Sequence, residues 1–169
     1  YKKMTTEDLA TFKGEHYEIN EAINQPKPLQ KPHPPLWVCG GGEKVTLKLL
    51  AKYGDYGNWD VDVEGFISKS EILKQHCDNE NRNYEDIGRT LHTNVIIGND
   101  QSDLNNKLEK ISNDTGIPKD IYLKKPLVGV KNEVFDKIDE FESHGCVYLI
   151  SYIADIVWGD TLDILKEKL

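Results

Sequence analysis

The sequence predicts an α/β fold in which parallel strands alternate with helices. Short apolar runs of strand length recur between stretches of helical periodicity, and that alternation implies right-handed crossovers. The run from Pro34 to Asp60, PPLWVCGGGEKVTLKLLAKYGDYGNWD, holds a complete strand–helix–strand unit with three consecutive glycines after its first strand. The chain has 169 residues, whereas a closed (β/α)8 barrel takes about 250 residues and eight strands.

Taken in order, residues 1–13 read as the tail of a helix and its exit. His16 to Ile23 reads as a short hairpin arm, because Tyr17, Ile19 and Ala22 roughly alternate with polar residues. The proline-rich segment QPKPLQKPHPP, residues 25–35, favours extended backbone and leads into a strand at 36–39. A helix is expected from Glu43 to Tyr53, with Leu47, Leu50 and Ala51 on its apolar side and Gly54 ending it.

A second strand follows at 56–59, then a helix at 64–79 with Phe66, Leu73 and Cys77 on one side. A third strand is expected at 91–97, and the segment HTNVIIG closes it with Gly98. Residues 98–129 are the least regular. Leu104, Leu108 and Ile111 mark a helix there, and IPKDIYLKKPLVG reads as an excursion before the next crossover. A helix at 131–143 carries Val134, Ile138 and Phe141 on one face, a strand occupies 147–151, and Leu162, Leu165 and Leu169 align on a final helix from Gly159. The whole reads as one domain, residues 1–169, with residues 1–35 as an arm and lead-in and 36–169 as the βα units.

Composition narrows the function. The formal net charge is −8, so the chain lacks the basic footprint of a nucleic-acid or anionic-membrane binder. No apolar run approaches the roughly 18 residues of a membrane span. The three cysteines, Cys39, Cys77 and Cys146, are odd in number and widely spaced, which points to reduced thiols in a cytoplasmic protein and away from a zinc site. His16, His33, His76 and His144 have no metal-ligand spacing, and His92 reads as a core or interface histidine within a strand.

The chemistry concentrates at Gly40, Gly41 and Gly42. Consecutive glycines adopt backbone angles closed to other residues and expose successive N–H groups to an anion. A helix starting behind them adds unpaired N–H groups and a partial positive charge. The competing reading is a plain strand-to-helix turn, which needs only one such glycine. The pattern is not a dinucleotide fingerprint, since Val45 stands where G-x-G-x-x-G requires its third glycine. Glu43 serves as a backbone donor with its carboxylate turned elsewhere, and Lys44 is either a counter-charge or a solvated side chain. Asn58 and Trp59 end the second strand on the expected ligand face. Asn58 is suited to hydrogen-bond a phosphate or a ring edge, and Trp59 to wall the pocket or fill the core.

The residues also carry a family likeness. F-x-G-x-x-Y at 12–17, K-P-x-Q-K-P-H-P-P at 27–35, the glycine cluster with Glu43 behind it, and the helix ending A-K-Y-G-D at 51–55 occur together in order. Arg89-Thr90 before a strand and H-G-C-V-Y-L-I at 144–150 fit the same pattern. Together they resemble the second half of the bacterial luciferase-like monooxygenases, a family of flavin-dependent monooxygenases and deazaflavin-dependent reductases and dehydrogenases.

That resemblance implies the C-terminal half of a (β/α)8 TIM barrel that binds FMN or the deazaflavin coenzyme F-420 at its carboxyl-terminal face. It implies an oxidoreductase working by hydride transfer. The catalytic histidine and glutamate of the deazaflavin dehydrogenases belong to the first half, so no catalytic residue carries over. A half-barrel leaves open edges, which the missing half or a second copy in a homodimer would close. The alternatives are a non-catalytic half-barrel that binds flavin or serves in assembly, and an unrelated doubly wound binding domain.

Overall fold

The structure, a computed structural model, describes residues 1–168. Leu169, expected on the final helix, lies outside the described residues. The chain divides into two compact units, Tyr1–Leu36 and the segment from Trp37 onward.

In the first unit a short helix, α1 (Lys2–Thr6), precedes an antiparallel hairpin of β1 (Ala10–Lys13) and β2 (Glu18–Ala22). The helical tail expected over residues 1–13 therefore stops at Thr6, and residues 10–13 form the first hairpin strand instead. Phe12 pairs with Ile19, and the Gly14 N–H donates to the Tyr17 carbonyl at 2.9 Å to close the turn. Lys27 and Asn24 both donate to the Met4 carbonyl, at 3.1 and 3.0 Å, fastening the start of the proline-rich segment to α1.

The second unit is a parallel sheet with helices between its strands. Its elements are β3 (Trp37–Cys39), α2 (Thr46–Tyr53), β4 (Tyr56–Trp59), α3 (Val63–Asn79), β5 (Gly88–Gly98), α4 (Gln101–Thr115), α5 (Lys119–Tyr122), β6 (Leu127–Val130), α6 (Lys131–Ser143), β7 (Cys146–Tyr152) and α7 (Thr161–Lys166). β4 lies between β3 and β5, and β7 runs along the other side of β5. All these pairings are parallel, as the alternation of strands and helices predicts.

Two elements depart from the sequence reading. α2 begins at Thr46 and not at Glu43, because residues 43–45 make a turn and Val45 is its N-cap, with no side-chain cap. The excursion contains a strand, β6, that pairs with the far end of β5, Val95 with Leu127 through Gly98 with Val130. Its sequence, LVGV, is too short and glycine-broken to announce a strand. The 11-residue β5 gives it an edge, because β4 and β7 pair with β5 only as far as Leu91 and Asn94.

One face of the sheet is closed by helices. Leu47 and Leu50 of α2, Phe66 and Leu73 of α3, and Val134 and Phe141 of α6 are buried there against Leu91 and Val95. Phe66 meets Trp59 and Phe141 edge-on, with centroids 5.2 and 5.6 Å apart. A second cluster, Ile96, Leu104, Leu108, Ile111 and Tyr122, sets α4 and α5 against the carboxyl end of β5.

A buried cation holds that end together. Lys107 is 5% exposed and donates to the Ile97 carbonyl at 2.6 Å, pairs with Asp103 at 3.2 Å and contacts Asp160 closely. Burial acts to lower the Lys107 ammonium, but hydrogen bonds and charge from Asp160 and Asp103 outweigh it and raise it. Burial likewise acts to raise the Asp103 carboxyl, while the Asn99 backbone N–H and Lys107 hold it below the usual range. For Asp160 the Lys107 hydrogen bond leads, and the direction is also down.

Both carboxyls are thus lower in the folded than in the unfolded chain. Their stabilisation is complete above the unfolded value of about 4 and is lost as pH falls through the folded value. Thermal unfolding followed from pH 6 to pH 2.5 is expected to show a smaller drop in Tm for the double variant Asp103→Asn, Asp160→Asn than for the native chain. Equal drops would remove these two groups from the account.

Candidate functional site

The loop between β3 and α2 was read from the sequence as the anion site, and its backbone bookkeeping is unusual. Gly40 has φ +102°, a left-handed conformation that glycine adopts without penalty, and its N–H donates to the Asn58 carbonyl at 3.1 Å. That N–H is therefore spent on the β3–β4 ladder. The next three carbonyls are all occupied by protein donors. Gly41 accepts from the Lys69 ammonium at 2.9 Å, Gly42 from the Leu47 N–H at 3.0 Å, and Glu43 from the His76 ring at 2.8 Å. The N–H groups of Gly41, Gly42, Glu43 and Lys44 have no hydrogen-bond partner among the described residues. In a trans peptide the carbonyl and the following N–H point opposite ways. The N–H groups of Gly42, Glu43 and Lys44 therefore point away from the protein donors that hold the preceding carbonyls.

Lys69 is the residue the sequence reading missed. It lies on α3, which packs beside α2, and its side chain runs over Gly41 so closely that a Cβ there would come within 2.4 Å of the lysine Cε. No local pattern signals it, because the contact spans 28 positions along the chain. Thr46, the first residue of α2, brings its hydroxyl to 2.9 Å from where a Cβ on Gly42 would stand. Glu43 and Lys44 are both exposed.

Asn58 and Trp59 part company. Asn58 sits on the open face of the sheet, where its side-chain oxygen accepts from the Thr90 hydroxyl at 3.0 Å and its amide approaches the Cys39 sulfur at 3.9 Å. Trp59 is 1% exposed and faces the helices, packed against Phe66. The one-residue step along a strand reverses the face, so the two cannot serve one pocket. Trp59 fills the core.

Among the described residues of the second unit, the helices pack on the other face of the sheet and leave the face that carries Asn58 uncovered except at the carboxyl end of β5. Trp37 and Tyr56 stack there with centroids 4.5 Å apart, and Tyr148 meets both at 5.9 and 5.8 Å. Further toward the strand ends stand Cys39, Asn58 and Thr90, and beyond them His92 and Tyr152, whose rings lie 5.5 Å apart. Tyr148 and Tyr152 are 55% and 65% exposed. Among the described residues no cluster of His, Cys, Asp or Glu is placed to hold a metal, and no helix is long and apolar enough to cross a membrane.

Comparison with known proteins decides the family. The family model for luciferase-like monooxygenases matches residues 1–133. The chain belongs to the luciferase-like monooxygenase family. Over 77 residues, 43% of the chain, it is 30% identical to the FMNH(2)-dependent dimethylsulfone monooxygenase of Pseudomonas putida, of which the match covers 20%. Among solved structures it is similar to an F420-dependent secondary alcohol dehydrogenase, with a TM-score of 0.73 and 15% identity over 99% of this chain and 57% of that one. It is similar also to the F420-dependent tetrahydromethanopterin reductase of Methanopyrus kandleri, with a TM-score of 0.73 and 13% identity over 96% and 57%. The chain thus spans a little over half the length of these structures and shares with them the parallel α/β fold.

Proposed function

We propose that the chain is the C-terminal, cofactor-phosphate half of a flavin- or deazaflavin-dependent oxidoreductase barrel. The observation that carries this reading is the β3–α2 loop, with three carbonyls tied to protein donors and four successive N–H groups left free beside a lysine. Such a loop suits the phosphate of FMN or of coenzyme F-420. Gly41, Gly42, Glu43 and Lys44 would hold it through backbone N–H groups, with Lys69 adding positive charge behind Gly41 and the Thr46 hydroxyl standing beside Gly42. The ring of either cofactor, when bound, supplies hydride transfer. The chain's own contribution is to fix the phosphate end, and through Asn58 to offer an amide on the open face.

The open face and the two outer strands support a further part of the reading. Among the described residues β3 pairs only with β4, and β7 only with β5. All-parallel sheets are covered on both faces. The complementary half of the barrel, or a second copy of this chain in a homodimer, would cover this one and complete the substrate site. The three cysteines are free thiols, which fits a reducing, cytoplasmic setting.

Replacing Gly41 with valine tests the loop. The new side chain would collide with Lys69 and crowd the donors, and binding of the phosphate-bearing cofactor is expected to weaken at least tenfold, about 1.4 kcal/mol. Unchanged binding by fluorescence titration would remove the loop from the site.

A further inference from the structure

Helix α3 grips the β3–α2 loop at two points. Lys69 donates to the Gly41 carbonyl at 2.9 Å, and further along the helix the His76 ring lies 2.8 Å from the Glu43 carbonyl. Seven positions are close to two full turns, so both side chains leave one side of α3. The carbonyls they hold alternate along the loop, and the one between them, on Gly42, accepts from the Leu47 N–H. A carbonyl oxygen only accepts, so the His76 nitrogen facing Glu43, Nε2, carries a proton. The ring is half-buried and stands 33 positions from Glu43 in sequence.

Each grip sets a different donor. Within one trans peptide the Glu43 carbonyl and the Lys44 N–H point opposite ways, so the ring that holds the first aims the second. Residues 43–45 turn outside α2, which has no side-chain cap, and the His76 bond is the one that holds the 43–44 peptide among the described residues. Lys69 aims the Gly42 N–H in the same way, but its charge also attracts an anion whatever the aim. Leu47 aims the Glu43 N–H through its backbone. His76 is therefore the grip whose hydrogen bond a neutral side chain can replace.

We propose that His76 is a positioning residue for the anion: its ring holds the Glu43–Lys44 peptide so that the Lys44 N–H meets the cofactor phosphate. This rests on the reading of the β3–α2 loop as the phosphate site. The ring does not touch the anion and acts through the backbone. Without the ring the peptide is free to rotate, and the ligand itself must then order it, which lowers affinity. A cofactor analogue lacking the phosphate gives the Lys44 N–H nothing to meet, so its affinity does not depend on His76.

The test titrates the native chain, His76→Ala and His76→Gln with FMN and riboflavin, and with coenzyme F-420 and its phosphate-free counterpart. The phosphate preference is the ratio of affinities within a pair. His76→Ala is expected to cut that ratio about fivefold, while the affinity for the phosphate-free form and the urea midpoint stay put. His76→Gln, whose amide offers a neutral N–H donor, is expected to recover most of the loss. A merely structural role would lower both affinities together, or the urea midpoint with them. An unchanged ratio in His76→Ala, a loss shared equally by the phosphate-free form, or a His76→Gln variant no better than His76→Ala would overturn the proposal. The native chain separates the two readings. No phosphate preference in either pair fails the proposed function and this inference with it, whereas a native preference that His76→Ala leaves intact fails this inference alone.

Discussion

In sedimentation equilibrium at micromolar concentration, the 169-residue chain alone is expected to run at no less than twice its 19.3 kDa. The reason lies in what the parallel sheet leaves open. Among the described residues β3 and β7 each present one row of backbone groups without a strand partner, and exposed rows of that kind recruit other strands. The face between them carries Trp37, Tyr148, Ile150 and Tyr152 at 38%, 55%, 38% and 65% exposure. The excursion covers only the carboxyl end of β5, through α4 and β6, so it does not close the gap. A two-fold axis running along the strands would set β3 of each copy beside β7 of the other, in parallel, and satisfy both edges at once. The buried area would exceed the roughly 1,600 Å² of a standard interface. A clean 19.3 kDa species that unfolds cooperatively would show that the chain tolerates its open face and would contradict the assembly reading.

Gly98→Ala is expected to be the most damaging single methyl in the chain. At the end of β5 an added Cβ would stand 2.6 Å from the backbone nitrogen of Leu104 and 2.7 Å from its Cα. These are main-chain atoms in the first turn of α4, so no rotamer change relieves the overlap. Nor is the helix free to retreat. The Asp100 side chain caps it through the Asp103 N–H at 2.9 Å, and Lys107 ties it to Ile97 and Asp160. The cost is expected at the upper end of overpacking, about 3 kcal/mol, read as a shift of the urea midpoint. Gly116→Ala makes the comparison. Gly116 has φ +72° but nothing within 4 Å of its added Cβ, so only backbone strain of about 1 kcal/mol is expected. A Gly98→Ala variant no weaker than Gly116→Ala would contradict the packing of α4 on β5.

How far the sequence disclosed this molecule depends on how local each signal is. The strands at 56–59 and 147–151 and the helices at 64–79 and 131–143 were legible because their apolar periodicity is written within a few turns. The start of α2 was not. Three glycines followed by Glu43 resemble a helix entry, but the Gly42 carbonyl is taken by Leu47 and the intervening residues turn before the helix begins. β6 escaped because LVGV becomes a strand only where a long neighbour offers an edge.

The same division runs through the site. The glycine loop and Asn58 follow from sequence position. Trp59 carries no mark of which way it points, and the register of β4 sends it to the core. Lys69 and the His92–Tyr152 pair exist only once distant elements are side by side. His92, expected as a core or interface histidine, stands half-buried on the open face.

The central claim, that the β3–α2 loop holds a cofactor phosphate, is tested most directly by titrating the protein with FMN and with riboflavin, and with coenzyme F-420 and its phosphate-free counterpart. Each pair shares the same ring and differs at the phosphate end. The account predicts that in at least one pair the phosphate form binds at least tenfold more tightly, about 1.4 kcal/mol, and that Gly41→Val abolishes the difference. Equal affinity within both pairs, or a preference that survives Gly41→Val unchanged, would contradict it.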